Sequence, residues 1–106
     1  MIRVGFLTAG GRCLGFRASG HAGYGDYGQD IVCASVTSAI QLTANGITEA
    51  AGIEADVCAE ENLVSLTLPD GCKDETAQKM LAALRLHLTI LSHDYPKTIE
   101  ITDLEV

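Results

Sequence analysis

Apolar residues repeat with two different periods along this chain, and the order of these periods restricts the fold. Near the N-terminus, residues 2–8 are predicted to form a strand, because Ile2, Val4 and Phe6 alternate and would share one face. A second alternating stretch covers residues 12–19, and the pair Gly10-Gly11 between the two is typical of a turn. Two alternating segments joined by such a turn predict an antiparallel hairpin.

The rest of the chain continues this succession of strands and helices. A helical spacing of apolar residues begins at Ile31; it either ends at Asn45-Gly46 or, as we favour, continues to Gly52. The segments predicted after it are strands over residues 53–59 and 62–68, a helix from about Asp74 to about His93, and a strand from Thr98 to Asp103. The order β-β-α-β-β-α-β indicates an α+β fold, a sandwich of a mostly antiparallel mixed sheet with two main helices.

Length, charge and cysteine spacing exclude several classes of protein. A chain of 106 residues is expected to form one domain, here residues 1–106. A net charge of −7 argues against a nucleic-acid partner. We find no signal peptide and no apolar run of the roughly 20 residues that a membrane span needs, so we expect a cytoplasmic protein with no membrane partner. None of the four cysteines forms a C-x-x-C pair, and neither a metal nor another cofactor is expected.

Residues 20–30 interrupt the regular pattern. Four glycines fall between positions 20 and 28, and the segment has no periodicity. It is therefore predicted to be a loop, and a mobile one, that connects the second strand to the first helix.

Cys33 lies in the first turn of that helix, with Asp30 as the expected N-cap. Unpaired backbone N–H groups and the positive end of the helix dipole favour the thiolate there, which is the nucleophilic form of cysteine. The competing interpretation is a small, buried, unreactive thiol. His21 precedes the loop, so the loop can bring its imidazole to the helix start, where it would serve as a base.

Residues 20–38 also resemble the signature of a known family. They contain Gly-His-Ala, then a glycine-containing loop, then Asp-Ile-Val-Cys-Ala and a valine followed by a small hydroxyl residue. This pattern is similar to that of the bacterial ribosomal-processing cysteine proteases called Prp. The predicted order of strands and helices and the chain length are similar as well.

The resemblance implies roles for individual residues. The catalytic histidine of the family falls on His21 and its nucleophile on Cys33, while the family's Gly and Asp fall on Gly20 and Asp30. The position after Val36, usually Ser in the family, is Thr37 here, which keeps the hydroxyl.

The resemblance also implies a substrate and a partner. Such proteases remove a short N-terminal extension from a large-subunit ribosomal protein, the one conventionally numbered twenty-seven, and they cleave after an aromatic residue. They are homodimers, with a loop that is thought to become ordered when substrate binds. The residues of that loop would be Ala22, Gly23, Tyr24, Gly25, Asp26, Tyr27, Gly28 and Gln29.

Several alternatives stay open from the sequence. The chain could be a non-catalytic ribosome-assembly or binding module, or a redox sensor that uses Cys33. Tyr24 and Tyr27 could pack on a peptide or anchor the loop, and the Thr37 hydroxyl could touch the substrate or bond to its own helix. The other cysteines, Cys13, Cys58 and Cys72, are expected to be structural or incidental.

Overall fold

The computed structural model describes residues 1–26 and 28–106, and it has five strands and two main helices. Their bounds are β1 Ile2–Ala9, β2 Arg12–Ser19, α1 Ile31–Asn45, β3 Asp56–Glu60, β4 Leu63–Thr67, α2 Glu75–Asp94 and β5 Ile99–Glu105. A single π-helical turn, Gly46–Ala50, directly follows α1.

The five strands form one mixed sheet in the order β3-β4-β2-β1-β5. Strands β1 and β2 form the expected antiparallel hairpin, with an irregularity between Leu7 and Thr8. Strand β2 pairs with β4 and β4 with β3, all antiparallel, whereas β1 and β5 are parallel. The predicted α+β sandwich with a mostly antiparallel mixed sheet is confirmed.

One face of the sheet carries the core. Its buried side chains include Val4 and Phe6 of β1, Phe16 of β2 and Leu66 of β4. These positions are partners across the ladders, so they lie on the same face. The helices cover this face with one stripe each, made of Val32, Val36, Ile40 and Thr43 from α1 and Ala77, Leu81, Leu84 and Leu88 from α2.

The stripe that the apolar spacing predicts for α1 also contains Ile31, Ser35 and Leu42, and these three residues lie outside the buried stripe. Ile31 and Leu42 are 54% and 72% exposed. Each helical residue is rotated by about 100° from the one before, so Ile31 points away from Val32, and Leu42 points away from Ile40. The sequence pattern included both because apolar residues occupy more than one face of this helix.

The end of the first helical segment agrees with the longer prediction. The helical path continues through the π-helical turn, and Gly52, at φ 66°, reverses the chain. The next two strands are shorter than predicted, and the first begins at Asp56 instead of residue 53. Residues 53–55 instead connect the helical segment to β3, because the Ile53 N–H still donates to the Ile47 carbonyl of the π-helical turn.

The stretch Ile31–Ala50 is long and apolar enough, by length and composition alone, to cross a membrane. In this fold the same stretch supplies four buried core residues, Val32, Val36, Ile40 and Ile47. We therefore attribute its apolar character to packing on the sheet.

Candidate active site

Cys33 lies at the start of α1, in the position that the sequence predicted. Asp30 is the N-cap, and its Oδ1 accepts hydrogen bonds from the backbone N–H groups of Val32 at 2.9 Å and Cys33 at 3.0 Å. The Asp30 carboxylate thus faces the helix N–H groups. The Cys33 thiol is free and half-buried.

The same carboxylate holds the glycine-rich segment. Its second oxygen, Oδ2, accepts from the N–H groups of Tyr24 at 2.9 Å and Gly25 at 3.3 Å. The hydrogen bond from the Cys33 N–H is the main cause that lowers the pKa of Asp30 below its usual value, and the other three backbone N–H groups add to it. Asp30, which is 8% exposed, therefore connects the loop to the helix that carries Cys33.

His21 is exposed and follows the end of β2 by two residues. The residue between, Gly20, has φ 88°, and a Cβ there would lie 2.4 Å from the Met1 carbonyl oxygen. The Gly20 N–H donates to the Asn62 carbonyl at 3.3 Å. Only glycine fits at this position. Gly20 therefore determines where the chain leaves the sheet, and with it the position of the His21 backbone.

Two cavities meet at Cys33, His21 and Thr37. One, of about 200 Å³, lies towards the sheet, and its walls include Ile40, Leu63 and Glu60. The other, of about 660 Å³, is bounded by the glycine-rich segment, with Gly23, Gly25, Gly28 and Gln41 in its walls. Because all three residues line both cavities, a peptide that passes from one cavity to the other would cross the sulfur.

The structure also locates the remaining residues of the predicted loop. The Gln29 N–H donates to the Asp26 carbonyl, and Tyr27 lies outside the described residues. The Tyr24 ring packs edge-on against Tyr95, with 5.2 Å between ring centroids, so Tyr24 anchors the loop to the end of α2. Among the described residues of the predicted loop, Ala22 differs from the others because it is buried, at 5% exposure.

The Thr37 hydroxyl is on the exposed side of α1, one turn after Cys33. Ser35 and Thr43 donate to helix carbonyls four residues back. Within the described part of the chain, Thr37 forms no such bond. Its hydroxyl is therefore available to the two cavities that it lines.

Three partners of the site were missed at the sequence level. They are Asn62, which accepts from Gly20; Tyr95, which contacts Tyr24; and the Ala22 N–H, which donates to the Cys33 sulfur at 3.2 Å. Asn62 has φ 67° and lies in the turn between β3 and β4, and asparagine is one of the residues that adopt this conformation readily. Its contact with Gly20 depends on the pairing of β4 with β2, which no local pattern shows.

The environments of two other thiols oppose ionisation. Burial raises the pKa of the Cys13 thiol above its usual value, and this thiol donates to the Gly15 carbonyl. The negative charge of Glu60 raises the pKa of the exposed Cys58 thiol. Cys33, at the start of α1, has a different environment, because its sulfur accepts a hydrogen bond from the backbone N–H of Ala22.

Cys33 is accordingly expected to be the most reactive thiol of the four. With limiting iodoacetamide at neutral pH, we expect Cys33 to be alkylated roughly tenfold faster than Cys13 or Cys58. Burial and the charge of Glu60 raise the pKa of those two thiols, and the alkylation rate follows the thiolate fraction. Peptide mapping by mass spectrometry after timed quenching measures all four rates in one sample. Equal rates at the four cysteines would contradict activation at the helix start.

Metal binding has no support in the described coordinates. Among residues 1–26 and 28–106, no group of three or more His, Cys, Asp or Glu side chains is placed to hold an ion. The chemistry that the described site offers is that of a thiol and an imidazole that line the same two cavities.

Comparison with known proteins gives a consistent result. A family model described as "Cysteine protease Prp" matches residues 1–100. The ribosomal processing cysteine protease Prp of Bacillus subtilis (strain 168) is 28% identical over 94 residues, which cover 84% of each chain.

Solved structures share the fold over nearly the whole chain. The S. aureus ribosomal processing protease Prp, in complex with a covalently linked product peptide, superposes with a TM-score of 0.90 at 25% identity, covering 98% of this chain and 100% of that one. The protein SMU.848 from Streptococcus mutans superposes with a TM-score of 0.87 at 26% identity, covering 100% and 96%.

Proposed function

This chain belongs to the cysteine protease Prp family, and we propose that it removes a short N-terminal extension from a large-subunit ribosomal protein. The proposed substrate is the bacterial protein numbered twenty-seven, and the proposed cleavage follows an aromatic residue. The relative from Bacillus subtilis carries ribosomal processing in its name, which supports this substrate class.

We assign the nucleophile to Cys33 and the base to His21. The observation that carries this assignment is that both residues line the same two cavities, at the point where α1 begins. Gly20 supports His21, Asp30 supports the helix start and the loop, and Thr37 lies on the same wall as Cys33. The assignment needs no cofactor.

The reaction would be acyl transfer in two stages. The Cys33 thiolate attacks the peptide carbonyl carbon, and the protonated His21 gives its proton to the departing amine as the C–N bond breaks. A water molecule then attacks the thioester, His21 takes a proton from that water, and the thiolate leaves. The enzyme returns to its starting state.

The charge of the chain supports a ribosomal-protein substrate. Proteins that bind ribosomal RNA carry basic residues that neutralise phosphates. A protease with a net charge of −7 attracts such a substrate during encounter and has little affinity for the RNA itself. We therefore propose no direct nucleic-acid partner and no membrane partner, and a cytoplasmic location, where ribosomes assemble.

The direct test uses the substrate with its extension intact. The purified protein and a Cys33→Ala variant are each incubated with the extended ribosomal protein, and the products are weighed by mass spectrometry. Loss of one N-terminal peptide, cut after an aromatic residue, only with the unaltered protein supports the proposal. Binding of an uncut substrate by both proteins would instead support a binding module.

Asp30 offers a test of the connection between loop and helix. Replacing it with alanine removes the acceptor of four backbone N–H groups, and we expect kcat/KM to fall by about 10²-fold because the loop and Cys33 lose their common support. In Asp30→Asn, the amide oxygen can still cap the helix, so we expect it to unfold at a higher temperature than the alanine variant. Equal activity in all three proteins would contradict this role.

The same carboxylate predicts how stability depends on pH. Because folding lowers the pKa of Asp30, its contribution is fully present above the unfolded pKa, near 3.8, and is lost as the pH falls through the lower folded value. Thermal unfolding measured across this range should therefore show a smaller acid-induced loss in Asp30→Asn than in the unaltered protein. Identical pH profiles would contradict the assignment.

We propose that the protein is a homodimer that associates through the groove between α1 and α2. This groove has a volume of about 670 Å³ and is lined mostly by apolar side chains, among them Ala39, Leu42, Met80 and Leu84. Leu42 is 72% exposed, which is typical of an apolar side chain covered by a partner. Sedimentation velocity should show a dimer that Leu42→Glu converts to a monomer and that Val57→Glu, a control on strand β3, leaves intact.

A further inference from the structure

We propose that the backbone N–H of Ala22 is the oxyanion donor of this enzyme. This N–H contacts the Cys33 sulfur in the free protein, with 3.2 Å between N and Sγ. During the reaction the same N–H would bind the carbonyl oxygen of the substrate. The inference rests on the proposed function of Cys33 as the nucleophile.

Four other backbone donors at the site already donate to Asp30. In many acyl-transfer enzymes the N–H of the nucleophile itself contributes to the oxyanion site. Here the Cys33 N–H donates to Asp30 Oδ1. The N–H groups of Val32, Tyr24 and Gly25 donate to the same carboxylate. Within the residues described by the structure, the Ala22 N–H is the backbone donor that is directed at the reacting sulfur.

The Ala22 donor is held by the sheet. Ala22 is 5% exposed, whereas His21 and Gly23 on either side are exposed. The chain just before it is fixed by the hydrogen bond from Gly20 to Asn62 and by the close approach of Gly20 to the Met1 carbonyl. A donor that is fixed before the reaction stabilises developing charge without reorganisation, which is how oxyanion sites contribute to catalysis.

The position of this donor matches the movement of charge. When the thiolate attacks, a C–S bond forms and the π electron pair of the carbonyl moves to oxygen, so the negative charge leaves sulfur and appears one carbon away. A small shift of the Ala22 N–H relative to the reacting atoms lets it donate its hydrogen bond to that oxygen instead of to sulfur. When the intermediate collapses, the pair reforms the C=O bond, the C–N bond breaks, and nitrogen takes the proton from His21. Oxygen is the stronger acceptor, so the contact favours the transition state.

The test removes one hydrogen-bond donor from the backbone by replacing an amide N–H with an ester oxygen. A protein with lactic acid in place of Ala22 has an ester where the N–H stood and keeps the methyl group. A chain of 106 residues is within reach of chemical ligation, with junctions at Cys13 and Cys72. The matched control carries lactic acid in place of Ala82, an exposed residue of α2 that lies outside the groove between α1 and α2 and outside the two cavities at Cys33. Ala22→Pro is a second variant that lacks the N–H and can be expressed.

Two rates separate an oxyanion donor from a structural contact. Acylation is measured in single turnover with a peptide copy of the extension and its cleavage site. Alkylation by chloroacetamide is the comparison reaction, because this displacement forms no oxyanion. It is measured at high pH, where the alkylation rate no longer increases with pH. We expect acylation to fall by about 10²- to 10³-fold without the Ala22 N–H. Alkylation should keep the rate of the Ala82 control.

Two outcomes would overturn the inference. One is an unchanged acylation rate without the N–H; the other is an equal loss in acylation and alkylation, which would give this contact a structural role only. A Cys33→Ala protein tested in parallel separates this inference from the proposed function. Cleavage by Cys33→Ala would refute the nucleophile, whereas an inactive Cys33→Ala with full acylation in the lactic acid protein refutes the oxyanion assignment alone.

Discussion

Replacing Cys33 by alanine is expected to lower the rate of peptide-bond cleavage by roughly 10⁴- to 10⁶-fold, the size of loss seen when a covalent nucleophile is removed. The change deletes one sulfur atom from a half-buried side chain at the start of α1. The Asp30 cap accepts only backbone N–H groups from this turn, so the helix start remains intact. We therefore expect substrate affinity and thermal stability close to those of the unaltered protein.

Two further variants make the result specific. Cys33→Ser keeps the shape of the site but replaces the thiolate by a weak nucleophile, so it should be nearly as inactive as the alanine variant. Cys58→Ala, which removes an exposed thiol on strand β3, should cleave at the full rate. Initial rates with the extended ribosomal protein compare all four proteins. Substantial cleavage by Cys33→Ala would show that another group attacks the peptide bond.

The parts of this molecule that follow from local pattern were predictable from the sequence. Alternating apolar residues identified the hairpin of β1 and β2. Leucines at helical spacing predicted the second helix, and Leu81, Leu84 and Leu88 form its buried stripe. The N-cap role of Asp30 was also predictable, because a short acidic side chain directly before a helical stripe is the usual cap. These features depend on residues that are close in the chain.

The contacts that complete the site depend on residues that are distant in the chain. Asn62 reaches Gly20 only because β4 pairs with β2, and Tyr95 reaches Tyr24 only because α2 ends beside the loop. The second pair of bonds to Asp30, from Tyr24 and Gly25, requires the path of the loop. Neither strand register nor loop path is encoded by hydrophobic periodicity, so these contacts were outside the reach of sequence reasoning.

Replacing His21 by alanine is expected to lower kcat by about 10²- to 10⁴-fold, the usual contribution of a general acid–base group. His21 is exposed and follows Gly20, so its removal should not disturb the sheet. His93→Ala is the matched control, since His93 is an exposed residue in the last turn of α2 that lines neither the groove between the helices nor the two cavities at Cys33. This control should keep full activity.

Chemical rescue separates proton transfer from a structural role of His21. The alanine variant leaves space beside Cys33, between cavities of about 200 and 660 Å³, so free imidazole can occupy the place of the missing ring. We expect added imidazole to restore part of the cleavage rate of His21→Ala and to leave Cys33→Ala inactive. If protonation of the leaving amine limits the rate, the restored rate should increase with the concentration of imidazolium. If deprotonation of water limits it, the restored rate should increase with the concentration of neutral imidazole. Full activity of His21→Ala without imidazole would place the base on another residue.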